Sequence, residues 1–135
     1  MTELEVALVA ADREVWSGRA STVIAKTADG DVGIMPGHQP ILSVLRPSVA
    51  TIRTVQDGTP GEAVRVALHG GFIAVDGNRV SLLSEAAELA DEIDVRRAEA
   101  ALARARAGEY GEDSEAAAER AELRLRAAGR TTVQH

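Results

Sequence analysis

Up to residue 85 the apolar positions come in short runs, several with period two. Leu4, Val6 and Leu8 alternate with Glu3, Glu5 and Ala7, which is the spacing of a strand with one buried face. Val23-Ile24-Ala25 leads to Asp29-Gly30, and Val49, Thr51, Arg53 and Val55 lead to Asp57-Gly58. Val64, Val66 and Leu68 end at Gly70-Gly71, Phe72-Ile73-Ala74-Val75 runs into Asp76-Gly77, and residues 80–83 close the series. Asp-Gly between β-rich runs marks hairpins, because both central turn positions favour residues that accept positive φ. Short strands at this spacing predict an all-β sandwich or barrel.

Beyond residue 85 the chain turns to Ala, Glu and Arg with few β-branched residues. Two helices are predicted, over 91–107 and 114–128. The linker Gly108-Glu109-Tyr110-Gly111-Glu112-Asp113 is short enough to fold them into an antiparallel hairpin. Asp91 and either Asp113 or Ser114 suit the N-caps, and Gly129 suits the position just after the last turn. Large aliphatics are few: Ile93, Val95 and Leu102, then Leu123 and Leu125. Each contributes roughly 1.5–3 kcal/mol when fully buried, against about 1–2 kcal/mol of backbone entropy per ordered residue. The hairpin is therefore expected to be weakly held and to need a partner surface. The fold class expected from the residues is α+β, an all-β sandwich or barrel followed by a helical hairpin and a polar tail.

One segment resists both periodicities. Gly30-Asp31-Val32-Gly33-Ile34-Met35-Pro36-Gly37-His38-Gln39-Pro40-Ile41-Leu42 mixes glycines and prolines with aliphatics. Proline fixes φ and lacks a donor, so this is neither a plain helix nor a long central strand. It reads as a stiff loop holding apolar side chains near the surface, better suited to a contact than to a catalytic pocket.

Composition narrows the function. The 135-residue chain suits one domain or one domain with an appendage. Its net charge of −6 gives no general drive toward nucleic acid or anionic lipid. It has no cysteine, which removes disulfides, thiolate metal sites and cysteine catalysis. The start, Met1-Thr2-Glu3-Leu4-Glu5, has no basic leader region, and no apolar run reaches membrane-spanning length. A soluble, cytoplasmic protein able to dock on a membrane complex is expected.

Three blocks carry a family resemblance: Val9-Ala10-Ala11-Asp12-Arg13-Glu14-Val15-Trp16-Ser17-Gly18, the segment 30–47, and His69-Gly70-Gly71-Phe72-Ile73-Ala74-Val75 followed by Val80-Ser81-Leu82-Leu83. In this order, ahead of an Ala/Arg/Glu hairpin, they resemble the epsilon subunit of bacterial F-type ATP synthase, particularly its actinobacterial members. The resemblance implies a sandwich of about ten short strands over residues 1–89, followed by a C-terminal helical hairpin with a short polar tail over 90–135. It implies a non-catalytic rotor subunit, one copy per complex, at the foot of the central stalk. Gamma and the c-ring would be its partners, and it would couple proton flow to ATP synthesis in the alpha/beta hexamer. Its place would be the cytoplasmic face of the plasma membrane, without insertion. Residues 84–90 could extend the first helix on propensity, but the resemblance implies a last extended strand.

The resemblance also implies sites. Asp31, Ile34, Met35 and His38 match the loop that lies on the c-ring. Ile93-Asp94-Val95-Arg96-Arg97-Ala98 matches an I/L-D-x-x-R-A pattern linked to ATP binding in some members. Glu88, Ile93, Asp94, Arg97, Ala98, Arg104, Arg120 and Arg124 are then the nucleotide candidates. No cofactor is required, and a regulatory ATP would steady the folded hairpin. Arg120, Arg124, Arg126 and Arg130 resemble the basic face that approaches the catalytic alpha/beta subunits when the hairpin extends. The plain alternative for these charges is a solvated face with Glu92–Arg96 and Glu122–Arg126 pairs.

Two other function classes compete. A free-standing β-sandwich module binding a ligand or peptide leaves the helical hairpin without a purpose. A metal-dependent enzyme using His38 and His69 lacks ligand spacing, a nucleophile–base pair and a phosphate-cradling loop. His69 is read instead as a structural or interface histidine.

Overall fold

A computed structural model describes residues 3–129, with nine strands and two α-helices among them. The strands are β1 (Leu4–Ala10), β2 (Glu14–Thr27), β3 (Gly30–Ile34), β4 (Ile41–Leu45), β5 (Ser48–Gln56), β6 (Thr59–Leu68), β7 (Gly71–Asp76), β8 (Arg79–Ser84) and β9 (Ala87–Leu89). The helices are α1 (Val95–Arg106) and α2 (Ser114–Ala127).

One layer runs β1-β8-β7-β4, and the other carries β2-β5-β6-β9 with β3 on β2. The β1–β2 hairpin joins the layers, so a continuous sheet folds over itself into a sandwich. β1 and β8 pair in parallel. Alternation decides what faces inward: Leu4, Val6 and Leu8 of β1 meet Ala50 and Ile52 of β5, Ile73 and Val75 of β7, and Val80 and Leu82 of β8 in one core. Ser84 is buried too, and its hydroxyl donates to the Gly70 carbonyl at 2.6 Å. The expected last strand is present as β9, paired with the end of β6.

The segment 30–42 is less loop-like than its composition indicates. Its first five residues form β3, registered on β2 from Thr27↔Gly30 to Val23↔Ile34. The reversal at Ala28-Asp29 lets an edge strand form before the first proline, and edge strands tolerate such sequences. Residues 35–40 alone are loop, and β4 begins at Ile41.

The first helix also starts later than expected. Ala90–Glu92 form a single 3-10 turn, Ile93 is extended, and α1 begins at Val95. Asp94, not Asp91, is the cap: its carboxylate accepts the Arg97 backbone N–H at 3.1 Å. The break frees Ile93 to pack with Ala67, Leu123 and Ala127 between sandwich and hairpin. Gly129 takes its expected place, with φ +81 and its N–H on the Arg126 carbonyl.

α2 is buried on two sides. Ala121 and Leu125 pack on Ala98 and Leu102 of α1, whereas Leu123 and Ala127 pack on Ala67 and Val49 of the sheet. The surface that the hairpin needs is therefore the sandwich's own β5–β6 face. Glu92 pairs with Arg13 at 3.4 Å across the seam, where the plain alternative reading paired it with Arg96.

Candidate functional site

Two regions have the chemistry of contact surfaces. The first is the outer face of the β1-β8-β7-β4 layer. Strand register sets Val44 opposite Phe72, Phe72 opposite Leu83, and Leu83 opposite Val9. Leu42 lies two residues from Val44 on the same face of β4. Leu42 is 76% exposed, Val44 and Phe72 50% and Leu83 45%. Side chains this apolar, contiguous on one face, mark an interaction surface. Leu42 closes the segment read in the sequence as a contact element, but Val44, Phe72 and Leu83 were not singled out. The available signal was the near-continuous apolar run in β7 and at the end of β8, which is the pattern of a strand covered on both faces.

The loop after β3 adjoins this layer through the β7–β8 turn, because the Gly37 N–H donates to the Asn78 side-chain oxygen at 3.0 Å. Met35 is 59% exposed, Asp31 is exposed on β3 opposite Lys26, and half-exposed His38 donates from Nδ1 to the Gln39 carbonyl at 2.7 Å. Ile34 corrects the expectation. It is fully buried in the core, since strand alternation turns it inward beneath Met35, and it offers no surface to a partner.

The second region is the seam between sandwich and hairpin. Arg124 of α2 donates from Nε to Glu88 Oε1 at 2.7 Å, and His69 Nε2 donates to the same oxygen at 3.1 Å. Burial lowers the His69 pKa; the bond to Glu88 opposes this without reversing it, and the Arg124 and Arg120 charges lower it further. His69 is thus the neutral, Nε2–H form near neutral pH, in its expected interface role. Burial raises the Glu88 pKa, but hydrogen bonds and charge from Arg124 and His69 together outweigh it and hold the carboxyl below the ordinary range. A cleft of about 600 Å³ opens beside this cluster, lined by Pro47, His69, Glu85, Arg120, Leu123 and Arg124 among others.

Of the nucleotide candidates, Arg120 and Arg124 line the cleft, and Glu88 adjoins it through its bonds to Arg124 and His69. The others do not line the cleft. Ile93 packs in the seam, Asp94 caps α1, and Ala98 is buried between the helices. Arg97 and Arg104 are exposed on α1. Of the basic residues expected to reach the catalytic subunits, Arg124 is engaged by Glu88, and the Arg126 carbonyl accepts from Arg65 Nη2 at 2.9 Å. Arg120 is exposed, and Arg130 lies outside the described residues.

A sandwich with an exposed apolar outer face and a helical hairpin docked on its other layer has the form of an assembly subunit. Residues 3–90 match the family model for the β-sandwich domain of the ATP synthase delta/epsilon chain. The chain is 56% identical over 125 residues to the ATP synthase epsilon chain of Streptomyces avermitilis, covering 93% of this chain and 94% of that one. It is also 56% identical over 126 residues to the epsilon chain of Streptomyces coelicolor, with 93% and 95% covered. Its fold is similar to a chain in the Euglena gracilis mitochondrial ATP synthase solved with OSCP, F1 and the c-ring (TM-score 0.67, 24% identity, 91% of this chain and 75% of that one). The protein belongs to the ATP synthase delta/epsilon chain family. Among the described residues, no helix is long and apolar enough to cross a membrane.

Proposed function

We infer that this protein is a central-stalk rotor subunit of a bacterial F-type ATP synthase. It has no active site of its own. It transmits c-ring rotation, driven by protons, toward ATP synthesis in the alpha/beta hexamer. Membership of the family sets the class, and the exposed Leu42, Val44, Phe72 and Leu83 face carries the reading at residue level. Gamma is the partner assigned to that face, since burying an apolar patch is a main source of association energy. The c-ring is the partner assigned to the loop end, through Asp31, Met35 and His38. The division of labour is then a sandwich (residues 1–89) that docks and a hairpin (90–135) that regulates. The site of work is the cytoplasmic face of the plasma membrane, one copy per complex.

Membranes stripped of this subunit test the reading. Adding the purified protein restores ATP synthesis and forms a stoichiometric complex with gamma and the c-ring. A protein found only as a free, ligand-binding monomer would overturn it in favour of a stand-alone module.

A regulatory reading of the hairpin has its own support in the cleft beside Arg120 and Arg124. Two guanidinium groups at one cleft suit phosphate oxygens. ATP bound there would hold the hairpin down and oppose its extension, by which Arg120, Arg124, Arg126 and Arg130 would approach the catalytic subunits. Calorimetric titration with ATP gives saturable binding that Arg124→Ala abolishes. Binding that Arg97→Ala abolishes and Arg124→Ala leaves intact would move the site to α1. Absence of binding at millimolar ATP removes the regulatory nucleotide altogether. Truncation after Leu89 raises ATP hydrolysis if the hairpin inhibits.

A further inference from the structure

We propose that Asn78 is a positioning residue for the docking loop, holding the Pro36–Gly37 peptide in one of two available orientations. The proposal rests on the reading of that loop as a contact surface. Residues 35–38 form a β-turn closed by the His38 N–H on the Met35 carbonyl at 3.1 Å. Pro36 takes the first central position and Gly37 the second, with φ +87, which is a type II turn. Type I and type II turns differ mainly by a half-rotation of the central peptide. Pro-Gly is compatible with both, because proline suits the first position of either and glycine accepts either sign of φ. The local sequence therefore leaves the choice open.

The central peptide's N–H decides it. In a type II turn the Gly37 N–H takes no part in the turn's own hydrogen bond and points away from it. Here it donates to Asn78 Oδ1 at 3.0 Å, across 41 residues of chain. Rotating the peptide to type I would carry the N–H off that acceptor. Asn78 is itself anchored. It lies with Gly77 in the two-residue loop between β7 and β8, closed by the Asp76↔Arg79 pair. Its carbonyl accepts the Glu5 N–H at 2.7 Å, and Arg79 Nη2 lies 3.4 Å from Glu5 Oε2. The acceptor is thus fixed to three strands of the sandwich, while the donor sits in the loop between exposed Met35 and half-exposed His38. A loop held in one turn type loses less freedom on docking.

The full-length protein, added back to stripped membranes, tests this. Asn78→Ala leaves the melting temperature within a degree or two, speeds amide exchange at Gly37 about fivefold, as expected for one exposed hydrogen bond, and raises by a similar factor the concentration that restores half-maximal ATP-driven proton pumping. Asn78→Asp keeps an acceptor oxygen and restores both values to within twofold. Met35→Asp tests the contact reading separately, with no change at the Gly37 amide. If Met35→Asp impairs pumping while Asn78→Ala does not, Asn78 has no positioning role and the contact reading stands. If Gly37 exchange is unchanged in Asn78→Ala, the proposal is overturned at its first step. If Met35→Asp has no effect, the contact reading itself fails.

Discussion

Arg124 and Glu88 sit 36 residues apart in the chain, yet Arg124 Nε lies 2.7 Å from Glu88 Oε1, tying the second helix to the last strand. Both side chains are about one-third exposed. The pair is the polar half of a joint whose apolar half is Leu123 and Ala127 on Ala67 and Val49. The hairpin therefore rests on the sandwich through both burial and a charge-assisted hydrogen bond.

Breaking that pair should loosen the hairpin and spare the sandwich. Glu88→Ala or Arg124→Ala should destabilise hairpin docking by about 1–2 kcal/mol, the lower part of the range for charged hydrogen bonds given partial exposure. Amide exchange of α2 in each variant measures this, and the double variant should cost less than the sum of the two. Strictly additive effects would show that the two residues do not interact.

His69 should make the joint acid-sensitive. Its ordinary pKa of 6.5 is lowered in the folded protein, so the unfolded chain takes up a proton first as pH falls. The His69 contribution is complete above about pH 6.5 and is lost as pH drops through the lowered value. Glu88, held below its ordinary 4.5, acts in the same direction at lower pH. The melting-temperature difference between wild type and His69→Gln should therefore change between pH 7 and 5. A pH-independent difference would contradict this.

The apolar face should be replaceable without unfolding. Phe72 and Leu83 are about half exposed and directly paired, so Phe72→Asp with Leu83→Lys, an opposite-charge cross-strand pair, should change stability by no more than about 1–2 kcal/mol. The same pair of changes should abolish co-purification with gamma. Retained co-purification would place the gamma contact elsewhere.

Gly71 should admit no side chain. Its φ is +128, and an added Cβ would fall onto the Leu83 carbonyl and close to Ser84 Cα, both backbone groups of β8. Gly71→Ala should cost several kcal/mol by prising β7 from β8, seen as a melting temperature lowered by more than 10 °C. Gly77→Ala, with open space around its Cβ, should cost less.

Much of the fold was legible because it is local. Period-two runs around Leu4, Val6 and Leu8, and the Asp-Gly pairs, report strands and reversals within a few residues. Asp57-Gly58 occupies the two positions between paired Gln56 and Thr59, although the Asp29-Gly30 and Asp76-Gly77 reversals sit one residue off the pairs. The Pro/Gly segment was found by composition, yet Ile34 was misjudged. Glycines and prolines hide whether an aliphatic next to them faces in or out, and the β3 register on β2 decides that. The start of α1 was misplaced because Asp91 and Asp94 are equal as caps in sequence. Packing of Ile93 into the seam selects Asp94.

The sequence alone determined the family, the sandwich, the hairpin and the acidic, cysteine-free character of the chain, since each depends on residue type and short-range spacing. Tertiary structure decided which candidates meet. It placed Glu88 with Arg124 and His69, left Arg97 and Arg104 apart from them, turned Ile34 inward, and assembled Leu42, Val44, Phe72 and Leu83 into one face. The reason is physical: those relations depend on strand register and on the side of α2 that docks, and both are set by burial summed over distant segments.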